Sequence, residues 1–314
     1  MSRLVLFLTA LLLATRLGRA EQQIDIYVLG IAQDGGLPHL GCTQERCERA
    51  RRDPSRRLHV SSLGIVDRGS GRSFLLDATP DLEAQVSSLR RAAALPAPAG
   101  RNPVDGILLT HAHIGHYLGL ALLGREVAAT QGLPLWSTQR MADFLRHNGP
   151  WKLLVDLEQV ELQPVEPGST VALTETLRAE PLLVPHRDEF SDTVAWLLSA
   201  HGRRILYLPD IDKWRKWQID VRELLTTVDL AFIDGTFFDA GELPGRNLSE
   251  IPHPTIRESL ALLGPRARPG RPQVYFIHLN HTNPALDEGS AARQEILAAG
   301  FGVAREGERF SFAN

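Results

Sequence analysis

Short apolar runs alternate with amphipathic stretches along most of the chain. The runs are rich in Val, Ile, Leu and Phe and have the length of buried strands. They predict strands at 24–29, 62–66, 74–76, 107–109, 182–184, 194–198, 205–208, 230–233 and 274–277. Between several of them, apolar residues at helical spacing predict helices at 117–130, 138–147, 214–227, 255–263 and 290–299. Strands and helices that alternate in this way indicate an α/β fold.

The N-terminal segment has a different pattern from the rest of the chain. Arg3 precedes an apolar run at 4–14, and the small residues that end at Ala20 precede the polar Glu21. The run is shorter than the roughly 20 residues that cross a bilayer. It therefore predicts a cleaved export signal at 1–20 and a single soluble domain at 21–314, which would be periplasmic or secreted and have no membrane anchor after cleavage.

The overall composition is that of an ordinary globular chain. Of the 314 residues, 43% are hydrophobic and 23% are charged, and the formal net charge is -3. A protein that follows a phosphate backbone carries a basic surface, which this charge balance does not provide. We therefore expect a small-molecule substrate rather than a nucleic acid as the partner.

Candidate chemistry is concentrated in the segment 110–116, which directly follows a predicted strand. The segment has the sequence Thr-His-Ala-His-Ile-Gly-His and contains His111, His113 and His116. Side chains two positions apart in an extended segment project to the same side, so His111 and His113 can bind one ion while His116 points elsewhere. Three histidines at this spacing predict a metal site.

Polar residues also follow four other predicted strands, at the point where each strand ends. They are two aspartates and two histidines, namely Asp77, His186, Asp210 and His278. A single residue of this kind could cap a turn or hydrogen-bond inside the core, but four of them accompany the histidine segment. Because carboxylate and imidazole groups are metal ligands, the strand ends are predicted to contribute to the same metal site.

The segment 110–116 resembles the His-x-His-x-Asp-His signature of the metallo-β-lactamase superfamily, with Gly115 in the position of the aspartate. The strand-end residues occur in the order that this resemblance predicts. The resemblance extends over essentially all of the mature chain. It implies an αββα sandwich of two mixed sheets, with metal ions at one edge.

The resemblance also implies a role for each side chain. Asp77 would brace the histidine segment, and Asp210 would orient the metal-bound water and bridge the ions when two are bound. Three histidines would hold the first ion, namely His111, His113 and His186. His116 and His278 would hold the second. Because Gly115 provides no carboxylate, we expect zinc with one ion at the active site as the preferred state.

Asp34 lies in a glycine-rich loop after the first predicted strand. In the fold that the resemblance implies, this loop passes near the active edge, so Asp34 is a candidate for the missing carboxylate. The favoured alternative is a turn aspartate that hydrogen-bonds the backbone of Gly35 and Gly36.

Further stretches resemble the PqqB branch of this superfamily, which belongs to the pathway that makes the redox cofactor pyrroloquinoline quinone. They are 30–36, 234–238, 251–254 and 278–284. Asp234 either polarises a ligand histidine from behind or caps the next turn. His253 either faces the substrate as a general acid or is a buried, hydrogen-bonded ring.

The cysteine pair, Cys42 and Cys47, has three interpretations. An even cysteine count in an exported chain favours a disulfide. The phosphodiesterase branch of the superfamily includes a relative with a cysteine cluster and a second histidine beyond its last metal histidine, which this chain resembles. That resemblance implies a structural zinc held by Cys42, Cys47 and His281, with His39 as a candidate fourth ligand. Free thiols are the third interpretation.

Three functions are consistent with these residues. Three imidazoles and an open position are typical of a catalytic metal centre, where the ion lowers the pKa of bound water to about 7. The first interpretation is therefore a metal-dependent hydrolase that acts on an ester, lactone or phosphodiester. The second is a PqqB-like tailoring enzyme that uses iron or copper to activate oxygen. The third is a metal-binding or small-molecule-binding protein without turnover.

Overall fold

The structure is a computed structural model that describes residues 23–245, 247, 250–264 and 273–313. The predicted export signal at 1–20 lies outside these residues. Within the described ranges, no helix combines the length and the apolar character needed to cross a membrane.

Two β-sheets of seven strands each pack face to face in the described ranges. The strands in chain order are β1 Gln23–Gly30, β2 Ser62–Asp67, β3 Arg72–Leu76, β4 Gly106–Leu108, β5 Leu133–Ser137, β6 Val160–Pro164, β7 Val171–Ala172, β8 Arg178–Val184, β9 Thr193–Ala200, β10 Arg203–Leu208, β11 Leu230–Asp234, β12 Gln273–Ile277, β13 Gly302–Val303 and β14 Arg309–Ala313. The first sheet has the order β14-β1-β2-β3-β4-β5-β6, and the second has the order β13-β12-β11-β10-β9-β8-β7. Both sheets contain parallel and antiparallel pairs.

Eight α-helices accompany the strands in the described ranges. They are α1 Glu45–Arg52, α2 Leu82–Ala92, α3 Ile114–Tyr117, α4 Gln139–His147, α5 Trp151–Asp156, α6 Val221–Thr226, α7 Ile256–Leu263 and α8 Ala291–Ala298. Residues of α2, α4 and α5 share a buried apolar cluster with the first sheet. Residues of α6, α7 and α8 share another with the second sheet.

A third apolar cluster lies between the sheets. Alternate residues of each strand contribute to it, as Ile24 and Ile26 do from β1 and Trp196 and Leu198 do from β9. Side chains two apart in a strand share one face, so this alternation buries one face of each sheet against the other. The result is the predicted αββα sandwich of two mixed sheets.

The sandwich brings the ends of several strands to one edge. β3 and β4 are parallel, and so are β10, β11 and β12. β8 runs antiparallel to β9, which runs antiparallel to β10, so β8 and β10 end at the same edge. The predicted strand-end residues therefore converge, although they are distant in sequence.

The nine predicted strands all coincide with strands of the structure, and the helices predicted at 138–147, 255–263 and 290–299 are confirmed as α4, α7 and α8. The helix predicted at 117–130 is wrong. In its place α3 is followed by a 3-10 turn at Leu118–Leu123. The N–H of Gly119 donates to Ala78 O in the loop after β3, next to the strand-end Asp77. This backbone group is therefore not available for an α-helical hydrogen bond.

The helix predicted at 214–227 is only partly correct. It is divided into a 3-10 turn at Trp214–Lys216 and α6, with Trp217 in an extended conformation between them. The Asp220 side chain accepts from Arg222 N and caps α6, which fixes the later start of that helix.

Candidate metal centre

Three histidines and Asp210 form the first cluster at the shared edge. Nε2 of His111 lies 2.8 Å from Nδ1 of His113. Asp210 approaches this group with both oxygens, at 3.5 Å from His111 Nε2 and 3.8 Å from His186 Nε2. One ligand atom from each of the four residues lies within 4.8 Å of all the others. The structure thus brings together the predicted first set.

A second cluster lies beside the first and consists of Asp34, His116 and His278. Asp34 Oδ1 is 3.5 Å from His116 Nε2 and 3.7 Å from His278 Nε2. Asp210 Oδ2 is 3.0 Å from His116 Nε2 and 3.3 Å from His278 Nε2. Asp210 therefore touches both clusters, which is the position of a bridging ligand.

The polar atoms of both clusters fit a metal ion. Several are buried and have no hydrogen-bond partner in the described residues, namely Asp34 Oδ1, His116 Nε2, His186 Nδ1, His186 Nε2, Asp210 Oδ1 and His278 Nε2. Leaving a buried polar group unpaired costs about 1–3 kcal/mol, so a group of them at one point indicates a missing partner. Neutral imidazoles and carboxylates are ligands for zinc, and nitrogen ligands also suit iron and copper.

Asp77 fixes the orientation of the histidine segment. Its carboxylate accepts from Thr110 N at 2.8 Å and lies 2.7 Å from His116 Nδ1. A carboxylate can only accept here, so Nδ1 of His116 carries the proton and Nε2 presents its lone pair to the cluster. Asp77 has a φ of 68°, a strained conformation for a residue with a side chain. The predicted brace is present in this geometry.

Thr110 extends this arrangement to His111. The Thr110 hydroxyl donates its hydrogen to Asp77 and lies 3.0 Å from His111 Nδ1. It therefore accepts a hydrogen bond from the Nδ1–H of His111. Nε2 of His111 is thereby turned towards His113. Glu189 acts similarly on His113, with Oε2 at 3.0 Å from its Nε2.

The same pattern recurs at the second sheet. Asp234 accepts from the N–H and the hydroxyl of Thr236 at 2.9 and 2.8 Å. That hydroxyl in turn lies 3.0 Å from His278 Nδ1, so it accepts a hydrogen bond from the Nδ1–H. Nε2 of His278 therefore points into the cluster. His278, like Asp77, has a positive φ of 63°. Neither Thr236 nor Thr110 was a predicted site residue, although both lie within motifs that the sequence singles out.

His253 lies against Asp234 and Asp210. Its Nδ1 is 2.8 Å from Asp234 Oδ2 and 3.3 Å from Asp210 Oδ1. Both aspartates are buried, and the His253 side chain is 8% exposed. Burial alone would lower the pKa of His253, but Asp234 and Asp210 raise it above its usual value. The ring is thus buried and hydrogen-bonded, and it also borders the metal cluster.

The electrostatics of the clusters favour ligation. Burial lowers the pKa of His186 to about 4 and lowers that of His111 well below its usual range, so both rings are neutral near pH 7. Burial would raise the pKa of Asp210, but the surrounding histidines, led by His278, hold it well below its usual value. For His116, Asp77 and Asp210 outweigh burial and raise the pKa well above the usual value. These carboxylates thus favour a positive charge at Nε2, which a metal ion would provide in place of a proton.

The two cysteines are joined by a disulfide, with Cα atoms 6.1 Å apart. This agrees with the disulfide interpretation and leaves no free thiol. His281 lies beside the pair, and the three residues have ligand atoms within 4.8 Å of one another. His39 is not in this group; its ring stacks on His281 with the centroids 4.2 Å apart. Zinc bound by the reduced pair remains a prediction.

Known proteins share both the sequence and the architecture. Residues 72–279 match the family described as "Beta-lactamase superfamily domain". Coenzyme PQQ synthesis protein B of Methylobacterium nodulans is 30% identical over 305 residues, which cover 89% of this chain and 97% of that protein. The chain belongs to the metallo-β-lactamase superfamily, in its PqqB-like branch.

Solved structures agree with this assignment at the level of the fold. The Zn(2+)-bound PqqB from Methylobacterium extorquens superposes with a TM-score of 0.75 and 22% identity, covering 91% of this chain and 99% of that one. A diphosphatase from the PhnP family superposes with a TM-score of 0.64 and 23% identity, covering 92% and 97%. The metallo-β-lactamase sandwich is therefore common to PqqB-like and phosphatase proteins.

One position of this PqqB-like chain departs from the expected arrangement. Asp34 was a candidate for the missing carboxylate, with a turn aspartate as the favoured alternative, but in the described ranges its side chain makes no hydrogen bond to Gly35 or Gly36. Gly36 N instead donates to Gln33 O at 2.8 Å. The Asp34 carboxylate faces His116 and His278, where a ligand would lie.

Proposed function

We propose that this protein is a metal-dependent hydrolase that acts on a small ester, lactone or phosphodiester. The observation that carries the proposal is the pair of histidine clusters joined by Asp210, with buried nitrogens that have no partner among the described residues. The diphosphatase with the same fold supports the choice of hydrolysis, since it uses this architecture for a reaction of that class.

The residues divide the work of hydrolysis between them. His111, His113 and His186 would hold the first ion, and a zinc bound there would supply hydroxide by lowering the pKa of water to about 7. Asp210 accepts a hydrogen bond from the attacking water and orients it towards the substrate. It also carries the negative charge that balances the cluster.

His253 is the candidate proton donor for the leaving group. It borders Asp210 at 3.3 Å, so it lies beside the position of the attacking water. Asp234 is a positioning residue, because its hydrogen bond of 2.8 Å holds the His253 ring from behind. A proton held on the far side of that ring can be donated to the leaving oxygen.

We further propose that the protein works outside the cytoplasm on a small molecule. The apolar run at 4–14 supports export, and the net charge of -3 argues against a nucleic-acid substrate.

The test compares metal content with turnover. Metal-stripped protein is reloaded with zinc and assayed on a nitrophenyl ester, a lactone and bis-nitrophenyl phosphate. We expect hydrolysis that depends on zinc and is lost in His113→Ala, while the exposed Asp188→Asn serves as the matched control. His253→Gln should lower kcat by about 10²–10⁴ and keep its zinc. Zinc-loaded protein that hydrolyses none of these compounds would contradict the proposal.

A second candidate is a tailoring reaction linked to pyrroloquinoline quinone, in which iron or copper activates oxygen. The observation that favours it is the 30% identity to coenzyme PQQ synthesis protein B over nearly the whole chain. Elemental analysis of protein purified without added metal separates the two candidates. Iron or copper together with oxygen consumption supports the second, and zinc alone supports the first. Stoichiometric metal with neither reaction indicates a binding protein.

A further inference from the structure

The backbone at Gly115 makes an unusually close approach to Asp34. A Cβ added at Gly115 would lie 2.7 Å from Asp34 Cα and 2.9 Å from Asp34 Cγ, and closer still to Asp34 Oδ1. Cβ atoms do not tolerate such distances, so glycine is required as long as Asp34 keeps this position. The carboxylate of residue 34 thus fills the space that a side chain at 115 would occupy.

The Asp34 carboxylate points at two buried histidine nitrogens. His116 and His278 are fully buried, and their Nε2 atoms have no hydrogen-bond partner in the described ranges. Asp34 Oδ1 lies 3.5 and 3.7 Å from them and is itself buried and without a partner. Three unpartnered atoms of ligand type at one point need a shared partner, and a cation satisfies all of them.

The loop that carries Asp34 is fixed to the segment that carries His278. Leu279 N donates to Ile31 O at 2.8 Å, and Gln33 N donates to Leu279 O at 2.9 Å. Ala32 forms isolated β-bridges with Leu279 and with Val60. The backbone therefore sets the separation of Asp34 and His278 independently of the histidine segment.

We propose that Asp34 is the carboxylate ligand of a second metal ion, in the space that the side chain at position 115 fills in the superfamily signature. The second ion is bound by Asp34, His116 and His278 and shares Asp210 with the first ion. The site then holds two ions, and Gly115 is the residue that admits the replacement ligand. This inference rests on the metal centre of the proposed function but not on hydrolysis.

The test counts zinc ions per chain and measures their affinities by titration calorimetry. It uses the Cys42→Ser/Cys47→Ser background, so that zinc at the cysteine pair does not enter the count. We expect two ions in this parent and one in Asp34→Asn, or a second ion bound at least about tenfold more weakly. The matched control Asp188→Asn should keep two.

Gly115→Ala approaches the same site from the other side. Its new Cβ must displace Asp34, so the second ion should be weakened while the first is retained. Gly100→Ala, where a Cβ meets nothing within 4 Å, is its control. Two ions of unchanged affinity in Asp34→Asn, or a single ion in the parent at saturating zinc, would overturn the proposal. Neither outcome requires an assay of activity, so the hydrolase proposal is judged separately.

Discussion

Asp25 on β1 and Asp210 after β10 are both buried carboxylates, but their neighbours differ. Asp25 is fully buried and accepts hydrogen bonds from four side chains at 2.6–2.9 Å, namely Gln23, Arg68, Arg309 and Ser311. Asp210 is 3% exposed, and its ion-pair partners among the described residues are histidine nitrogens at 3.0–3.8 Å. Its Oδ1 has no hydrogen bond within the described part of the chain.

The difference separates a structural carboxylate from a binding one. Two guanidinium groups and two neutral donors balance the charge of Asp25 within the chain. Within the described residues no arginine or lysine forms an ion pair with Asp210, and His111 and His186, which burial keeps neutral, bring no charge. Since a buried carboxylate needs compensation, a metal ion bound beside Asp210 would provide it.

The largest effect is expected on metal binding. Asp210→Asn keeps the shape of the side chain but removes the charge that both histidine clusters share. We expect zinc affinity to fall by more than the roughly 10–100-fold that the loss of an outer partner costs. Asp25→Asn removes an equally buried charge and should keep zinc affinity. Competition with a fluorescent chelator measures both, and equal losses in the two variants would show that the contrast is false.

The next effect is the stabilisation of the fold by zinc. An ion that binds only the folded state at a hundred times its Kd adds about 3 kcal/mol to the free energy of unfolding. Urea unfolding with zinc and with chelator should show this increment in the wild type and in Asp25→Asn. Asp210→Asn should show little of it at the same zinc concentration. An undiminished increment in that variant would indicate binding elsewhere.

A smaller effect is expected on the metal-free fold. Asp25→Asn replaces a carboxylate that accepts from two arginines, and should lower the free energy of unfolding by about 2 kcal/mol near pH 7. Burial alone would raise the pKa of Asp25, but its four donors lower it below the usual 3.8. The stabilisation is therefore present above about pH 4 and is lost as the pH falls through the lowered pKa of the folded state.

Urea titrations at several pH values check this sign. The difference between wild type and Asp25→Asn should stay constant from pH 7 to about pH 4 and shrink below it. A difference that grows on acidification would mean that folding raises the pKa of Asp25 instead of lowering it.

The contrast also explains what the sequence predicts well. The first-cluster ligands lie in a local motif or directly after an apolar strand, and strand ends on one edge converge in an α/β sandwich. His111, His186 and Asp210 could therefore be assigned from pattern and resemblance. The helix predicted at 117–130 failed because Gly119 bonds to a distant loop, which hydrophobic periodicity does not reveal.

Contacts between distant segments were beyond the sequence. The sequence made Asp34 a candidate for the carboxylate that Gly115 lacks but favoured a turn role, and only the fold shows that Asp34 fills the same space. The hydrogen bonds of Asp25 likewise join β1 to Arg68 and to Arg309 on β14. These residues are far apart in sequence, so local spacing does not predict the contacts. Thr236 lies in the stretch 234–238 that the sequence singles out. Its contact with His278 arises only because β11 and β12 are neighbouring parallel strands.

Thr236 therefore provides the smallest and most specific test. Its hydroxyl donates to Asp234 and accepts from His278 Nδ1, so it passes the effect of a buried carboxylate to a candidate ligand. Thr236→Val removes the hydroxyl and keeps the shape, and zinc affinity at the His278 site should fall about tenfold, the lower limit for an outer partner. Thr236→Ser retains the hydroxyl and should bind zinc like the wild type. If the Thr236→Val variant also binds zinc with wild-type affinity, Asp234 acts on His253 alone, and the backbone sets the orientation of the His278 ring.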